Sequence, residues 1–544
     1  MKYDGYIWLQ QFSSMKKNFL IAVMLLVVFS LHSQQLLTSA EKSSYSSTST
    51  WQDVMDFTGH LLREYTSIRM DTLAVSVEGR LIPLFVLADP LPLSPEDLDS
   101  DNRIVVYIQA NIHAGEVEGK EATQMLMRDL LKNPPENFFR DVVLLVCPVF
   151  NADGNDKISK NNRTNQNGPV NGVGVRHNGQ WLDLNRDAMK LETPEMRGLV
   201  QNVFNRWDPA IAVDCHTTNG SYHEEPVTFT WMMNPNGSRE LINYMRDRLA
   251  PQVHKTLADK YHVPNVYYGE FIDRLNPEKG WISYASEPRY WVNYYGVRNR
   301  LAILNENYVY ADFKTRVNGS YYLLRSILEY AQNNKDEIRE MLRRTDERMT
   351  FSPPDSFAIE YKGFPTPEPI TIKAIEADTI PGARGYWRFK MSDRHRTVTV
   401  PYIADYYPVR SVPVPDAWIL TVPDPEILDN LKLHGITVLD VTSDTTLPVT
   451  RFAPEKLEPA SRLFQGHYVN TVEGKYVLDT VQVTGIMKVI PSAQPLGWLA
   501  AYLLEPESDD GYTKWNFLDR YLVPQWGRGF YPWPVLKYSG KWLP

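Results

Sequence analysis

From residue 51 to about residue 330 the chain alternates short apolar runs with amphipathic stretches. The runs "RIVVYIQA" (103–110), "DVVLLVCPVF" (141–150), "AIAVDC" (210–215) and "RLAILNE" (300–306) lack polar alternation and predict strands covered on both faces. Between them, "KEATQMLMRDLLKN" (120–133) and "SRELINYMRDRLAPQVHKTLADKY" (238–261) repeat apolar positions at helical spacing. This order predicts an α/β fold with a mixed, largely parallel central sheet and helices on both faces. Sheets of this kind hold ligands at the carboxyl ends of their strands.

The pattern changes near residue 350. "GSYYLLRSILEYAQNNKDEIREMLRRTDERM" (319–349) predicts a terminal helix or helix pair, and "FSPPDS" follows it. Residues 351–544 are rich in proline, β-branched and aromatic residues, with "RTVTVPYIADYY" and "KYVLDTVQVTGIMKVI" as strands. "AWILTVPDPEILDNLKLHGITVLDV" predicts a strand–helix–strand unit whose helix opens at Asp424-Pro425. Two domains are therefore expected, one over 51–345 and a β-rich C-terminal one over 351–544 whose role stays open. No internal repeat is visible.

Composition narrows the class. Of 544 residues, 43% are hydrophobic and 22% charged, as in ordinary globular proteins. The net charge of -8 and the absence of basic runs give no reason to expect a nucleic-acid partner. "MKKNFLIAVMLLVVFSLHSQQ" opens at Met15 with two lysines before the apolar run Phe19–Leu31. That run has the length of a signal-peptide core and is short for a membrane span. Residues 1–34 are read as a signal region with Met15 as the true start, and the mature chain as exported, periplasmic or extracellular, with no stable membrane span after cleavage. Cys147 and Cys215 sit inside apolar runs and are expected as buried free thiols rather than a disulfide framework.

The chemistry gathers at strand ends. His113 and Glu116 follow the first apolar run as H-x-x-E, and His216 ends another. A catalytic zinc site takes three protein ligands of nitrogen or oxygen type and keeps one position open. His216 alone serves equally well as a hydrogen-bonded strand-end residue; beside His113 and Glu116 it reads as the third ligand. Metal-bound histidines need an acceptor on the other ring nitrogen. Asp183 and Asp214 are candidates, although Asp214 equally suits a turn cap.

The order H-x-x-E (113–116), "NADG" (151–154), the isolated Arg163, "DLNR" (183–186), "DCH" (214–216) and Glu306 resembles the zinc metallocarboxypeptidase family related to carboxypeptidases A and B, over residues 60 to 330 or so. The resemblance implies that His113, Glu116 and His216 bind one Zn2+ per chain and that Asp183 holds a zinc histidine. It implies that Arg163 stabilises the oxyanion, that Asn185 and Arg186 clamp a terminal carboxylate, that Tyr284 binds substrate and that Glu306 is general base and acid. Gly115 stands where digestive members carry an arginine, the wording around Glu306 departs from the usual one, and the C-terminal region exceeds the small β-sandwich of the regulatory members.

The expectation is a zinc metallocarboxypeptidase acting on peptides with a free C-terminal carboxylate. The alternatives are a deacylase or cell-wall peptide amidase on the same site, or a non-catalytic surface-binding protein. Arg289, Arg298 and Arg300 near the expected pocket either favour acidic side chains or are salt-bridged structure.

Overall fold

The computed structural model describes residues 35–98, 101–284, 286–382, 387–522 and 529–540, so the signal region expected over 1–34 lies outside the described residues. The main sheet has eight strands: β1 (Ile68–Val75), β2 (Leu81–Leu87), β3 (Ile104–Ala110), β4 (Val142–Cys147), β5 (Ile211–Thr218), β6 (Val227–Trp231), β7 (Asn265–Tyr267) and β10 (Leu301–Tyr308). Their spatial order is β1-β2-β4-β3-β5-β10-β6-β7. The middle strands β4, β3, β5 and β10 pair in parallel, and β1, β2 and β6 enter antiparallel.

Every residue of β4 and β5 is buried, which explains their unbroken apolar runs. Helices Glu118–Lys132 and Phe313–Asn333 pack together over this part of the sheet, and helix Trp291–Val297 lies against β5 and β10. Side chains alternate along β5, so Cys215 points to helix Glu118–Lys132 while Asp214 and His216 share the opposite face. The helix sits so close that a Cβ on Gly119 would stand 2.4 Å from the Cβ of Cys215. Cys147 and Cys215 are free and buried. Among the described residues no helix is long and apolar enough to cross a membrane.

The C-terminal part is β-rich. Strands β11 (Ser356–Pro365) and β14 (Tyr402–Pro413) extend a sheet through β9 (Trp281–Ile282) and β8 (Glu270–Phe271), tying it to the first part. Strands β12 (Ile370–Pro381) and β13 (Trp387–Val400) form a separate hairpin. Strands β15 (Ala417–Leu420), β16 (Leu439–Pro459), β17 (Asn470–Pro491) and β18 (Val535–Tyr538) close a small barrel around Ile419, Val449, Met487 and Val489. Between β15 and β16 lies helix Pro425–His434, capped by Asp424 and stopped by Gly435 at φ +85°.

This helix fastens the two parts together. The imidazole of His434 donates from Nε2 to the carbonyl of Met189 (3.0 Å) and accepts at Nδ1 from the Tyr294 hydroxyl (2.8 Å). The neutral ring satisfies both nitrogens, and burial pushes the group down to about 3. A depressed folded-state value means stability fully present above the unfolded-state value near 6.5 and lost as pH falls towards 3. Between pH 7 and 5 this group should remove about 2 kcal/mol from unfolding stability. Denaturant titrations should find His434→Leu less stable at both pH values but with a correspondingly smaller difference between them; an unchanged difference would refute the assignment.

Candidate metal centre and its cleft

The H-x-x-E segment is a turn built at the end of β3. Asn111 adopts φ +67° and donates from its amide to the carbonyls of Ala114 and Glu116. Glu116 N–H closes the turn on His113 O (2.9 Å), just before helix Glu118–Lys132 begins. Asn151, which opens "NADG", donates to Ile112 O (3.2 Å) and Arg176 O (3.0 Å), joining the His113 turn to the loop that follows. Gly115 is where that loop closes in: a Cβ there would lie 2.6 Å from Cδ of Arg163 and 3.0 Å from Gly174 O.

β5 brings His216 to the same point, and β10 aligns Glu306 beside it in parallel register. The outer ring nitrogens are both committed. His113 Nε2 lies 3.0 Å from Asp183 Oδ1, and His216 Nε2 lies 2.5 Å from Asp214 Oδ2. Carboxylates accept, so each Nε2 carries the hydrogen and each Nδ1 presents a lone pair. The two Nδ1 atoms are 3.1 Å apart and lie 3.1 and 3.0 Å from the two oxygens of Glu116.

With both rings neutral, three electron-pair donors thus face one another with no hydrogen of their own to share. That arrangement is repulsive unless a cation sits among them. His113, Glu116 and His216 offer one atom each within a mutual 4.8 Å, and two nitrogens with one carboxylate oxygen fit zinc with an open position. Electrostatics agree. Burial alone would lower His216, but the carboxylates of Asp214, Glu116 and Glu306 outweigh it and carry it well above the imidazole range, so without an ion a proton on the ring supplies the positive charge that the cluster calls for. Burial would raise Asp183, but His113 and the Arg176 and Arg186 guanidiniums hold it well below the carboxyl range.

These groups open into a cleft of about 340 Å³ lined by His113, Glu116, Arg163, Arg176, Asn185, Arg186, His216, Tyr268, Tyr284, Tyr290, Val292, Leu304 and Glu306 among others. The sequence-predicted residues therefore converge, with Asp183 just behind them. Arg163 donates to Glu116 Oε1 (2.8 Å), Thr217 O (2.9 Å) and Gln166 Oε1 (2.8 Å). Arg186 lies over the ring of Tyr290 at 4.3 Å, and Asn185 accepts from Trp291 N–H (3.2 Å). The Tyr284 hydroxyl has no hydrogen-bond partner among the described residues. Burial, with the Glu116 charge adding to it and His216 opposing, pushes Glu306 up to about 8.

Sequence reasoning missed Arg176. It reaches Asp183 (2.9 Å) and stands 3.5 Å from Glu116, with its side chain 37% exposed to the cleft. Its only sequence signal is a second arginine in the glycine-rich connection before "DLNR". His177 and His223 do not line the cleft; His223 stacks on Tyr308 at 3.9 Å. Arg289, Arg298 and Arg300 are structural, held by Asp510, by His434 O and Asn205, and by Asp208 and Asp346.

Residues 54–231 match the family model described as zinc carboxypeptidase. The chain is 21% identical over 462 residues to carboxypeptidase 2 of Trichophyton rubrum, covering 81% of this chain and 79% of the relative. It is 22% identical over 468 residues to carboxypeptidase 2 of Trichophyton tonsurans, with the same coverage of 81% and 79%. Among solved structures, a metallo-carboxypeptidase from Pseudomonas aeruginosa is similar at 17% identity and TM-score 0.39, over 54% of this chain and 70% of that one.

Purified protein should contain one zinc ion per chain. His113→Ala and His216→Ala should each lose it on dialysis, whereas His223→Ala should retain it; elemental analysis showing equal zinc in all three would dismiss this centre.

Proposed function

Residues 54–231 match the zinc carboxypeptidase family model, and on that premise we propose that the chain hydrolyses the last peptide bond of peptides ending in a free carboxylate. The observation that carries this reading is a single cleft lined by His113, Glu116, His216, Glu306 and three arginines. In this reading His113, Glu116 and His216 hold the ion. Zinc, when bound, supplies a Lewis acid that polarises a carbonyl and makes a water acidic near neutral pH.

The chain's own residues do the rest. Glu306 takes the proton of the attacking water on its carboxylate and delivers it to the leaving amine. Its neighbourhood suits both halves of that task, because burial raises its proton affinity and the positive groups around it limit the rise. Arg163 meets the negative charge that develops on the scissile oxygen, and Arg176 adds a second guanidinium on the same side. Single oxyanion donors contribute on the order of 3 kcal/mol.

Asn185 and Arg186 grip the terminal carboxylate, the guanidinium supplying two parallel donors in one plane. Stacking on Tyr290 keeps that plane oriented before substrate arrives. Tyr284 offers its unpaired hydroxyl to the bound peptide. Beyond the charged groups the wall is neutral, made by Tyr268, Tyr284, Tyr290, Val292 and Leu304, which supports an apolar or aromatic residue at the cut end. The lysine-flanked apolar run Phe19–Leu31 supports export to the periplasm or beyond.

Glu306→Gln should keep its zinc and lose turnover by about 10²- to 10⁴-fold, as read by kcat on an N-blocked dipeptide ending in phenylalanine; near wild-type kcat would remove Glu306 from the mechanism. The same dipeptide carrying a C-terminal amide should be a far poorer substrate, and equal cleavage would remove the carboxylate clamp. Amino-terminal sequencing of the exported protein should start close after Ser33, and a start at Met15 would refute signal cleavage.

A further inference from the structure

The β16–β17 hairpin of the C-terminal domain ends far from its barrel, at a turn from Phe464 to His467. Phe464 and His467 exchange both backbone hydrogen bonds (2.8 and 3.1 Å), and the two residues between them, Gln465 and Gly466, have φ of +53° and +81°. Two successive positive φ values make a two-residue hairpin turn of the kind normally filled by Asn-Gly, Asp-Gly or Gly-Gly. A glutamine at the first position bears the steric cost of the left-handed region without the local hydrogen bonding that favours asparagine there. A cost of that kind persists where surrounding contacts over-determine the conformation.

The contact at this turn is specific. The side-chain oxygen of Gln465 accepts the backbone N–H of Asp183 at 2.8 Å, across 282 residues of chain. Asp183 in turn starts the short turn that presents the clamp: its Oδ1 accepts the N–H of Asn185 (3.0 Å) while also holding His113. An asparagine at position 465 would be one methylene shorter.

The other arm of the clamp is tied to the same domain. Asp510 accepts from the backbone N–H of Arg289 (2.9 Å) and pairs with its guanidinium (3.0 Å). That guanidinium lies 5.9 Å from the ring of Phe464 and 5.7 Å from that of Trp515, two rings stacked on each other with centroids 6.0 Å apart. Tyr290, the next residue, carries Arg186 on its face, and Trp291 N–H bonds Asn185. Both segments that form the clamp, 183–186 and 289–291, thus rest on the C-terminal domain.

We propose that Gln465 is a positioning residue for substrate binding, and that the hairpin turn Phe464–His467 makes the C-terminal domain an integral wall of the terminal-carboxylate clamp. This inference rests on the clamp assigned above to Asn185 and Arg186. The hydrogen bond to Gln465 comes from the Asp183 backbone, while the Asp183 carboxylate keeps His113 and Arg176 as its own partners, so loss of the Gln465 acceptor should act on the turn and leave metal binding in place.

The test compares wild type, Gln465→Met and Gln465→Glu on the N-blocked dipeptide ending in phenylalanine and on its C-terminal amide. The methionine variant keeps the volume and removes the acceptor; the glutamate variant keeps an acceptor. Gln465→Met should raise KM for the free acid roughly fivefold, the scale of one lost hydrogen bond, with kcat within about twofold by the same measure and zinc content unchanged. The acid-over-amide preference should fall in proportion, and Gln465→Glu should recover most of it. Phe464→Ala, at a half-buried position on the turn, should shift KM in the same direction and guards against a folding artefact at position 465. Wild-type preference and KM in both Gln465→Met and Phe464→Ala would overturn the inference, as would loss of kcat and zinc together with KM. If wild type itself cleaves acid and amide alike, the clamp reading fails first and takes this one with it.

Discussion

Two imidazole nitrogens and a carboxylate, each with its lone pairs turned to a common point, cannot rest against one another without positive charge between them. Everything else near the cleft follows from enforcing that arrangement. Asp183 and Asp214 occupy the far nitrogens of His113 and His216 and so decide which ring edge faces inward. Arg163 and Arg176 balance the acidic groups from the side. The buried sheet beneath supplies the rigidity that holds donors of like character so close together.

The sheet achieves this by register. Asp214 and His216 are two residues apart on β5 and therefore share a face. The parallel neighbour β10 sets Glu306 directly beside His216, so a buried carboxyl and an imidazole of the His113, Glu116 and His216 cluster come from adjacent strands at the same height. The His113 turn enters from the end of β3, on the other side of β5. A one-residue slip in either pairing would turn one member of the set to the opposite face. The parallel core thus serves as the ruler of the site.

The C-terminal part is woven into the same unit. It adds β11 and β14 to a sheet begun by β8 and β9, closes a barrel of its own, and buries His434 against Met189 and Tyr294. Its hairpin then returns to the Asp183 turn. Such a layout couples the integrity of the second domain to the geometry of the cleft in the first.

The amino-acid sequence by itself determined the alternation of strands and helices, because burial on both faces demands unbroken apolar runs, and it determined the helix cap at Asp424, because that signal is local. The identity and order of His113, Glu116, Asp183, Asn185, Arg186, His216 and Glu306 were legible for the same reason: each sits at a strand end or in a short motif. Only the tertiary structure decided that the Nδ1 edges face inward, since this depends on which nitrogen each aspartate takes. Only it brought Arg176 into the cleft and gave Arg289, Arg298 and Arg300 to structural partners, because a guanidinium's neighbours come from distant segments. Gln465 is the extreme case, a turn residue whose partner lies 282 positions away, and no periodicity or spacing rule spans that distance.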